Sequence, residues 1–216
     1  TRRADCAFVE LLTCKRQRPK WFVSHWWGES IRQFVACIEK HRWLRQMSPD
    51  DDPYWVCAYA NRQHSLAKEI VDDPRETSFC KALTLAKGVL LVLNDASPHQ
   101  DAAMPFTRVW CSFEVSLALD LRGNSFWLDV AAAKEGPAIR ADGSIELGET
   151  EVLTQGLVDV DHGDMRAKFS REANFSLQVM REGLSVEIQK AEASVEKDRK
   201  AILNCLCGKD AANLGE

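Results

Sequence analysis

The carboxylate of Glu114 stands alone in an apolar stretch. Residues 109–119 read VWCSFEVSLAL, and Glu114 is the only ionisable carboxylate among them. Burying a bare carboxylate costs several kcal/mol, so this group must be paired, protonated or turned toward a cleft. Trp110 lies four residues earlier, on the same face of a helix. The segment therefore predicts either a cleft-facing acid beside an indole or an ion pair with Arg108, Arg122 or a loop arginine.

A polar and aromatic loop follows the first predicted strand. The strand is the short aromatic and β-branched run 21–23, which is typical of a buried strand. The loop after it consists of Ser24, His25, Trp26, Trp27, Gly28 and Glu29. A histidine and indoles at a strand end suit ligand contact, but an ordinary loop histidine and one core tryptophan explain them equally well.

Hydrophobic periodicity predicts an α/β fold in which five strands alternate with five helices. The strands are predicted over 21–23, 54–60, 89–93, 126–130 and 184–188. The helices are predicted from Ser30 onward through Ile38, over 74–87, over 107–121, over 164–182 and after Ser194. This alternation is typical of a three-layer, flavodoxin-like fold: a parallel sheet of order 2-1-3-4-5 with helices on both faces.

The predicted strand order determines where a ligand site should lie. Strands 1 and 3 are neighbours whose connections leave in opposite directions, so a crevice opens at their carboxyl ends. The loop 24–29 and the connection 94–107 both meet this crevice, together with the first turns of the helix that carries Glu114. We therefore expect the isolated carboxylate and the aromatic loop to face each other.

Composition and motifs exclude several function classes. The net charge of −4 supplies no basic excess for nucleic-acid binding, and no apolar run approaches the ~20 residues of a membrane helix. The eight cysteines lie mostly inside apolar segments, which indicates reduced thiols and a cytoplasmic protein. No glycine motif for redox dinucleotide binding, for a P-loop or for a serine hydrolase occurs. Cys205-x-Cys207 has no second cysteine pair at zinc-site spacing, and the aspartate triplet 50–52 is more typical of a solvated turn than of a divalent-ion site.

The chain divides into four predicted parts. Residues 1–19 form a basic lead-in, and because Thr1 replaces the usual Met we expect the sequence to be part of a longer chain. Residues 20–208 form the domain, within which the glycine- and acid-rich segment 131–163 predicts an irregular excursion on the rim. Residues 209–216 form a tail.

Three segments resemble the Toll/interleukin-1 receptor (TIR) domain. They read WFVSHWWGESIRQF for the first strand and helix entry, GVLLVLND for the third strand, and RVWCSFEVSLAL for the helix with the family's Trp-Cys-x-x-Glu signature. The resemblance extends over roughly residues 20 to 207. It implies a TIR-like fold and self-association through TIR–TIR contacts.

The resemblance also implies a reaction, because enzymatic TIR domains cleave the nicotinamide–ribose bond of NAD+. Glu114 matches their catalytic glutamate. Trp110 would lie near the nicotinamide or ribose, and Ser24, His25, Trp26 and Trp27 would contact the dinucleotide. The products would be nicotinamide and either ADP-ribose or its cyclic form, with NAD+ as substrate and no metal or further cofactor.

The chain departs from the family in two loops. The loop after strand 1 has Trp26 or Trp27 where a basic residue is usual, and the loop after strand 2 lacks its usual glycine. Arg62 and His64 in the latter loop would supply positive charge to a pyrophosphate, unless they are only solvated loop residues. Two other functions stay open: a non-catalytic interaction and signalling module, and a nucleoside-processing transferase on the same sheet.

Overall fold

The computed structural model shows an α/β protein built on a five-stranded sheet. It describes residues 1–48, 50–65, 73–94, 103–121, 126–133, 138–139, 144–146, 150–154 and 177–208. The strands of the main sheet are β1 Trp21–Ser24, β2 Tyr54–Val56, β3 Gly88–Leu93, β4 Trp127–Ala133 and β7 Thr150–Leu153; β5 Ala138–Ile139 and β6 Ile145–Glu146 form a separate two-stranded sheet.

The strand order of the main sheet is β2-β1-β3-β4-β7, which confirms the predicted order 2-1-3-4-5. The first four strands are parallel, but β7 pairs with β4 in the antiparallel direction, so the sheet is mixed and the prediction of an all-parallel sheet was wrong. An antiparallel edge strand on an otherwise parallel sheet is common. A strand that pairs in the antiparallel direction can follow its neighbour without a crossover helix between them.

The fifth strand comes from an unexpected part of the chain. The prediction placed it over 184–188, but this segment holds the end of a helix and the start of a 3-10 turn. Strand β7 instead comes from the glycine- and acid-rich segment 131–163, where Val152 is buried on the sheet. Burial alternates along this strand, with Thr150 and Val152 buried and Glu151 and Leu153 only partly buried, as in a strand with one covered face. The residue types of TEVL do not alternate in polarity, so the sequence pattern did not indicate the strand.

Seven α-helices occur in the described residues. They are α1 Phe8–Leu12, α2 Ile31–Leu44, α3 Cys57–Ala60, α4 Ser78–Leu85, α5 Val109–Leu121, α6 Leu177–Leu184 and α7 Glu196–Leu206. The predicted strand 54–60 ends at Val56 and continues as α3, and the predicted helix 74–87 is a 3-10 turn followed by α4. The break falls at Thr77, whose hydroxyl accepts a hydrogen bond from the Cys80 amide and caps α4. Residues 164–176 of the predicted helix 164–182 lie outside the described residues, and the rest of that helix is part of α6.

Helices cover both faces of the sheet, as predicted. Helix α2 packs on the face to which Trp21 and Val23 point, and α4 and α5 pack on the face to which Phe22 points. The two side-chain directions alternate along β1 because successive strand residues point to opposite faces. All six residues of β3 are buried, as expected for a central strand between two helical layers.

Two further features bear on the expected organisation. The basic lead-in 1–19 contains helix α1, with Ala7 just before it 2% exposed. In the part of the chain that the structure describes, no helix combines the length and the apolar character needed to cross a bilayer.

Gly88 is the first residue of β3, which lies between β1 and β4. A Cβ atom at this residue would lie 2.6 Å from the backbone oxygen of Trp127 and 2.7 Å from the ring of Trp21. We expect Gly88→Ala to lower the free energy of unfolding by roughly 1–3 kcal/mol, because a backbone atom must shift to relieve the overlap. The matched control is Gly183→Ala on α6, where nothing lies within 4 Å. Urea denaturation checks both variants, and equal effects would contradict the steric explanation.

Candidate active site

Ser24 and Glu114 meet at the carboxyl end of β1. The Ser24 hydroxyl donates a hydrogen bond of 2.5 Å to Oε2 of Glu114. Strand β1 points Ser24 toward the helical layer that contains α5, and the apolar helix α5 turns its one carboxylate inward to meet it. The predicted approach of the loop after strand 1 to the Glu114 helix is therefore present in the structure.

Glu114 is buried, with only 5% of its surface exposed. The expectation that it faces an open cleft was therefore wrong. An ion pair with Arg108 is not what the structure shows either, since Arg108 donates to Ser194, and Arg122 lies outside the described residues. Burial raises the pKa of Glu114 to about 8, and the hydrogen bond from Ser24 opposes this rise. The group is thus mainly protonated at neutral pH.

Two thiols flank the carboxyl group. Burial, together with the nearby Glu114 carboxylate, raises the pKa of Cys57, at the start of α3, to about 12. Burial also raises the pKa of Cys111, one turn before Glu114 on α5, and again the carboxylate adds to the effect. Both thiols are therefore neutral, so Glu114 lies between neutral groups from β1, α3 and α5.

The two tryptophans of the loop occupy different positions. Trp27 is 58% exposed, and its indole Nε1–H donates a 3.0 Å hydrogen bond to the sulfur of Cys57. Trp26 is half-buried, and its ring covers Gly28 so closely that a Cβ atom there would lie 2.2 Å from it. Trp26 is therefore the tryptophan that packs on its own loop, whereas Trp27 presents an aromatic surface beside Cys57.

His25 forms a buried pair with Glu29. Nδ1 of His25 lies 2.6 Å from Oε1 of Glu29, and their side chains are 9% and 4% exposed. The imidazole packs on the ring of Phe34, with ring centroids 4.7 Å apart. Burial raises the pKa of Glu29, although its hydrogen bond with His25 opposes the rise. The backbone oxygen of His25 accepts a 3.5 Å hydrogen bond from the thiol of Cys111, which connects this pair to the Glu114 helix.

Within the described residues, several buried polar atoms of the segments that follow β1 and β3 have no hydrogen-bond partner. They are Nε2 of His25, Oε2 of Glu29, both amide atoms of Asn94 at the end of β3, and Oγ of Ser112 on α5. Leaving a buried donor or acceptor unsatisfied costs about 1–3 kcal/mol. Unsatisfied atoms in the segments that follow β1 and β3 are suited to a polar ligand, whose own groups would complete the hydrogen bonds.

The ring of Trp110 contacts other aromatic side chains instead of the polar residues described above. Its indole stacks on Phe79 of α4, with centroids 5.1 Å apart and planes 22° apart, and meets Phe113 edge-on at 6.2 Å. The spacing of four residues correctly places Trp110 near Glu114 along α5. Its half-buried ring nevertheless packs between α4 and α5, which is the role of a core residue.

The two basic candidates from the loop after β2 occupy its outer side. Nε of Arg62 lies 3.5 Å from Oε1 of Glu10 on α1, with both side chains more than 40% exposed. His64 is exposed. No contact in the structure joins either residue to Ser24 or Glu114, so their predicted contact with a pyrophosphate stays a prediction.

Sequence reasoning missed four polar contributors to the site: Cys57, Glu29, Asn94 and Ser112. Asn94 carried a usable signal, since it is the first polar residue after an apolar central strand, where ligands bind in such sheets. Cys57 carried none, because its place beside Glu114 depends on the packing of α3 against α5. Among the described residues, no three histidine, cysteine or acidic side chains gather as ligands for a metal ion.

Comparison with known proteins adds no further assignment. The chain matches no family model, no curated protein and no solved structure.

Proposed function

We propose that this domain is a TIR-like NAD+ glycohydrolase that cleaves the nicotinamide–ribose bond. The observation that carries the proposal is the buried Glu114 carboxyl group, held by Ser24 where β1 and β3 end. The unsatisfied atoms of His25, Asn94 and Ser112 support ligand binding at the same edge. The resemblance of the Trp-Cys-x-x-Glu segment to the TIR signature supports the choice of NAD+.

The residues present suit the chemistry of glycosidic cleavage. Nicotinamide leaves as a neutral molecule from a cationic ring, so it needs no acid to protonate it. Positive charge develops on the ribose as the bond breaks, and a carboxylate in a water-poor site stabilises that charge strongly. Ionised Glu114 would supply this stabilisation while Ser24 fixes the orientation of its Oε2. A water molecule, or an adenine nitrogen in a cyclising reaction, would then form the new bond to the ribose C1′.

Because Glu114 is buried, binding of NAD+ would also change its protonation. A carboxyl group with a pKa of about 8 is mainly neutral at pH 7, and the positive nicotinamide ring would favour its ionised form. Because Glu114 is only 5% exposed, substrate must open the site to reach it, and this opening is part of the proposal.

The test is nicotinamide release from NAD+ by the purified domain, followed by chromatography from pH 6 to 9. We expect kcat/KM to rise about tenfold per pH unit below pH 8 and to level off above it, since only ionised Glu114 is active and its pKa in the free protein is about 8. Circular dichroism at each pH separates loss of fold from loss of activity. A rate independent of pH would contradict the assigned role of Glu114, and absence of release at high protein concentration would contradict the activity itself.

One observation favours a second candidate, a TIR-type interaction module without catalysis. A glutamate that is 5% exposed and hydrogen-bonded to Ser24 can serve as a purely structural contact between β1 and α5. If the domain releases no nicotinamide but forms a homo-oligomer in sedimentation experiments, the module is the better description. Nicotinamide release and sedimentation, measured on the same protein preparation, therefore distinguish the two functions.

A further inference from the structure

A groove lies between the outer edge of β2 and the basic lead-in 1–19. Its volume is about 480 Å³, which is ample for a ligand. One wall consists of part of α1 and residues 13–17, and the other consists of Pro53, all of β2 and part of α3. Strand β2 is an edge strand of the main sheet, and among the described residues it pairs with β1 alone. The groove therefore runs along a sheet edge.

The backbone of β2 directs unpaired polar groups into this groove. The carbonyl oxygen of Pro53 points toward β1, where it accepts hydrogen bonds from the amides of Lys20 at 2.9 Å and Trp21 at 3.4 Å. Because backbone groups alternate in direction along a strand, the N–H and C=O of Tyr54 and the N–H of Val56 point away from β1. No described residue forms a hydrogen bond with any of these three groups.

An open strand edge of this kind is a template for a second extended chain. In β-strand addition, main-chain hydrogen bonds provide affinity and side-chain contacts provide specificity. An extended peptide has alternating N–H and C=O groups at the spacing that β2 requires. The ring of Tyr59, which is 40% exposed and lies 5.9 Å from that of Phe8, adds an aromatic surface to the same groove.

The charge of the groove favours an acidic peptide. Lys15 and Arg16 line it and are both exposed, and within the described part of the chain neither has an acidic partner. The one acidic residue in the described lining, Glu10, already faces Arg62, whose Nε lies 3.5 Å from its Oε1. Since the whole chain has a net charge of −4, the positive charge here is a local feature.

We propose that the outer edge of β2 binds an extended acidic peptide of a partner protein by β-strand addition. The peptide backbone pairs with the outward groups of Tyr54 and Val56, and Lys15 and Arg16 contact its carboxylates. This interaction goes beyond the proposed hydrolase activity and does not depend on it, because neither Ser24 nor Glu114 lines the groove.

The experiment titrates a capped hexapeptide of alternating glutamate and valine into the ¹⁵N-labelled domain and follows it by NMR. At saturation, hydrogen exchange of the Tyr54 and Val56 amides should slow at least about tenfold, because both enter hydrogen bonds. The Trp55 amide, which already faces β1, should keep its exchange rate. A hexapeptide of alternating lysine and valine should bind at least about tenfold more weakly.

Two sets of variants test the charge and the backbone pairing separately. Lys15→Glu combined with Arg16→Glu should weaken binding of the glutamate peptide about tenfold. Arg2→Glu combined with Arg3→Glu is the matched control, since both arginines are exposed in the lead-in but do not line the groove. Of two N-methylated glutamate peptides, one methylated on its valines and one on its glutamates, only one should lose affinity, because an added strand pairs with β2 along one edge.

Four results would each overturn the inference. They are no binding of the glutamate peptide at millimolar concentration, equal affinities for the glutamate and lysine peptides, unchanged exchange of both amides, and equal affinities for the two N-methylated peptides. Protection of Tyr54 and Val56 that rises with protein concentration alone would assign the edge to a second copy of this chain and would also overturn it. Nicotinamide release by a domain that binds no peptide would leave the proposed function intact, so the two failures are distinguishable.

Discussion

Glu114→Gln is expected to abolish nicotinamide release, with a fall in kcat of at least about 100-fold. Glutamine keeps the length of the side chain and an oxygen that accepts from the Ser24 hydroxyl, so the packing between β1 and α5 is retained. What disappears is the negative charge that would stabilise the ribosyl cation, a kind of interaction whose removal typically costs 10²–10³-fold in rate. Single-turnover assays with saturating NAD+ measure the loss.

The same substitution has a second readout that does not depend on activity. The pKa of Glu114 is about 8 in the folded protein against 4.5 for an unperturbed glutamate. A group whose folded pKa is raised contributes stability below its unfolded pKa and loses it as the pH rises to the folded value. At ~1.4 kcal/mol per pH unit, the wild type should lose up to about 5 kcal/mol relative to Glu114→Gln between pH 4.5 and 8.

Urea denaturation of both proteins at pH 5, 6.5 and 8 checks this second effect. The free energy of unfolding of Glu114→Gln should equal that of the wild type near pH 5 and exceed it at pH 8. Glu76→Gln, at an exposed glutamate, is the control and should follow the wild type in both activity and stability. Parallel stability curves would show that Glu114 is not protonated in the fold, and full activity in Glu114→Gln would remove it from the mechanism.

Asp129→Ala is expected to lower the free energy of unfolding by about 3–5 kcal/mol. Asp129 is completely buried on β4 and accepts two 2.8 Å hydrogen bonds from Arg45, through Nε and Nη2, and lies 2.8 Å from Nε2 of His41. The alanine variant would remove the carboxylate that pairs with the buried guanidinium of Arg45, itself 6% exposed. Removal of one member of such a pair is strongly destabilising.

His41 extends this network to β2. Burial lowers the pKa of His41, so a neutral ring donates from Nε2 to Asp129 and accepts at Nδ1, 2.7 Å from the hydroxyl of Tyr54. Asp129→Asn keeps the size of the side chain and removes the charge, and it should also destabilise the protein. The control is Glu39→Ala, which removes a half-exposed ion pair of α2 with Arg42 and should cost less than ~1 kcal/mol. A similar small loss in Asp129→Ala, measured by thermal or urea unfolding, would contradict this account.

The positions of Ser24 and Glu114 illustrate how much of the site the sequence predicts. The alternation of strands and helices predicts the order of the sheet, and the order brings the end of β1 beside the helix after β3. A lone carboxylate in an apolar helix must find a partner inside the protein. Both arguments use local patterns and connectivity, so they need no knowledge of individual side-chain contacts.

Trp110 and Trp27 show where such reasoning ends. Both are tryptophans near the predicted crevice, yet Trp110 packs on Phe79 while Trp27 is exposed over Cys57. The difference depends on how α4 and α3 lie against α5, which is determined by the fit of many side chains at once. The burial of Glu114 has the same origin, since helix periodicity shows which face is apolar but not how closely the neighbouring elements cover it.

The sequence by itself determined the α/β class, the order of the strands and the approach of the loop after β1 to the helix that carries Glu114, because each follows from hydrophobic period and chain connectivity. Only the tertiary structure decided that the edge strand β7 runs antiparallel, that Glu114 is protonated between neutral groups, and that Asp129 joins β4 to α2 through Arg45 and His41. The antiparallel pairing joins residues 17 to 23 positions apart, the Asp129 contacts join residues 84 and 88 positions apart, and the protonation of Glu114 depends on the local dielectric. None of these is encoded in the pattern of any single segment.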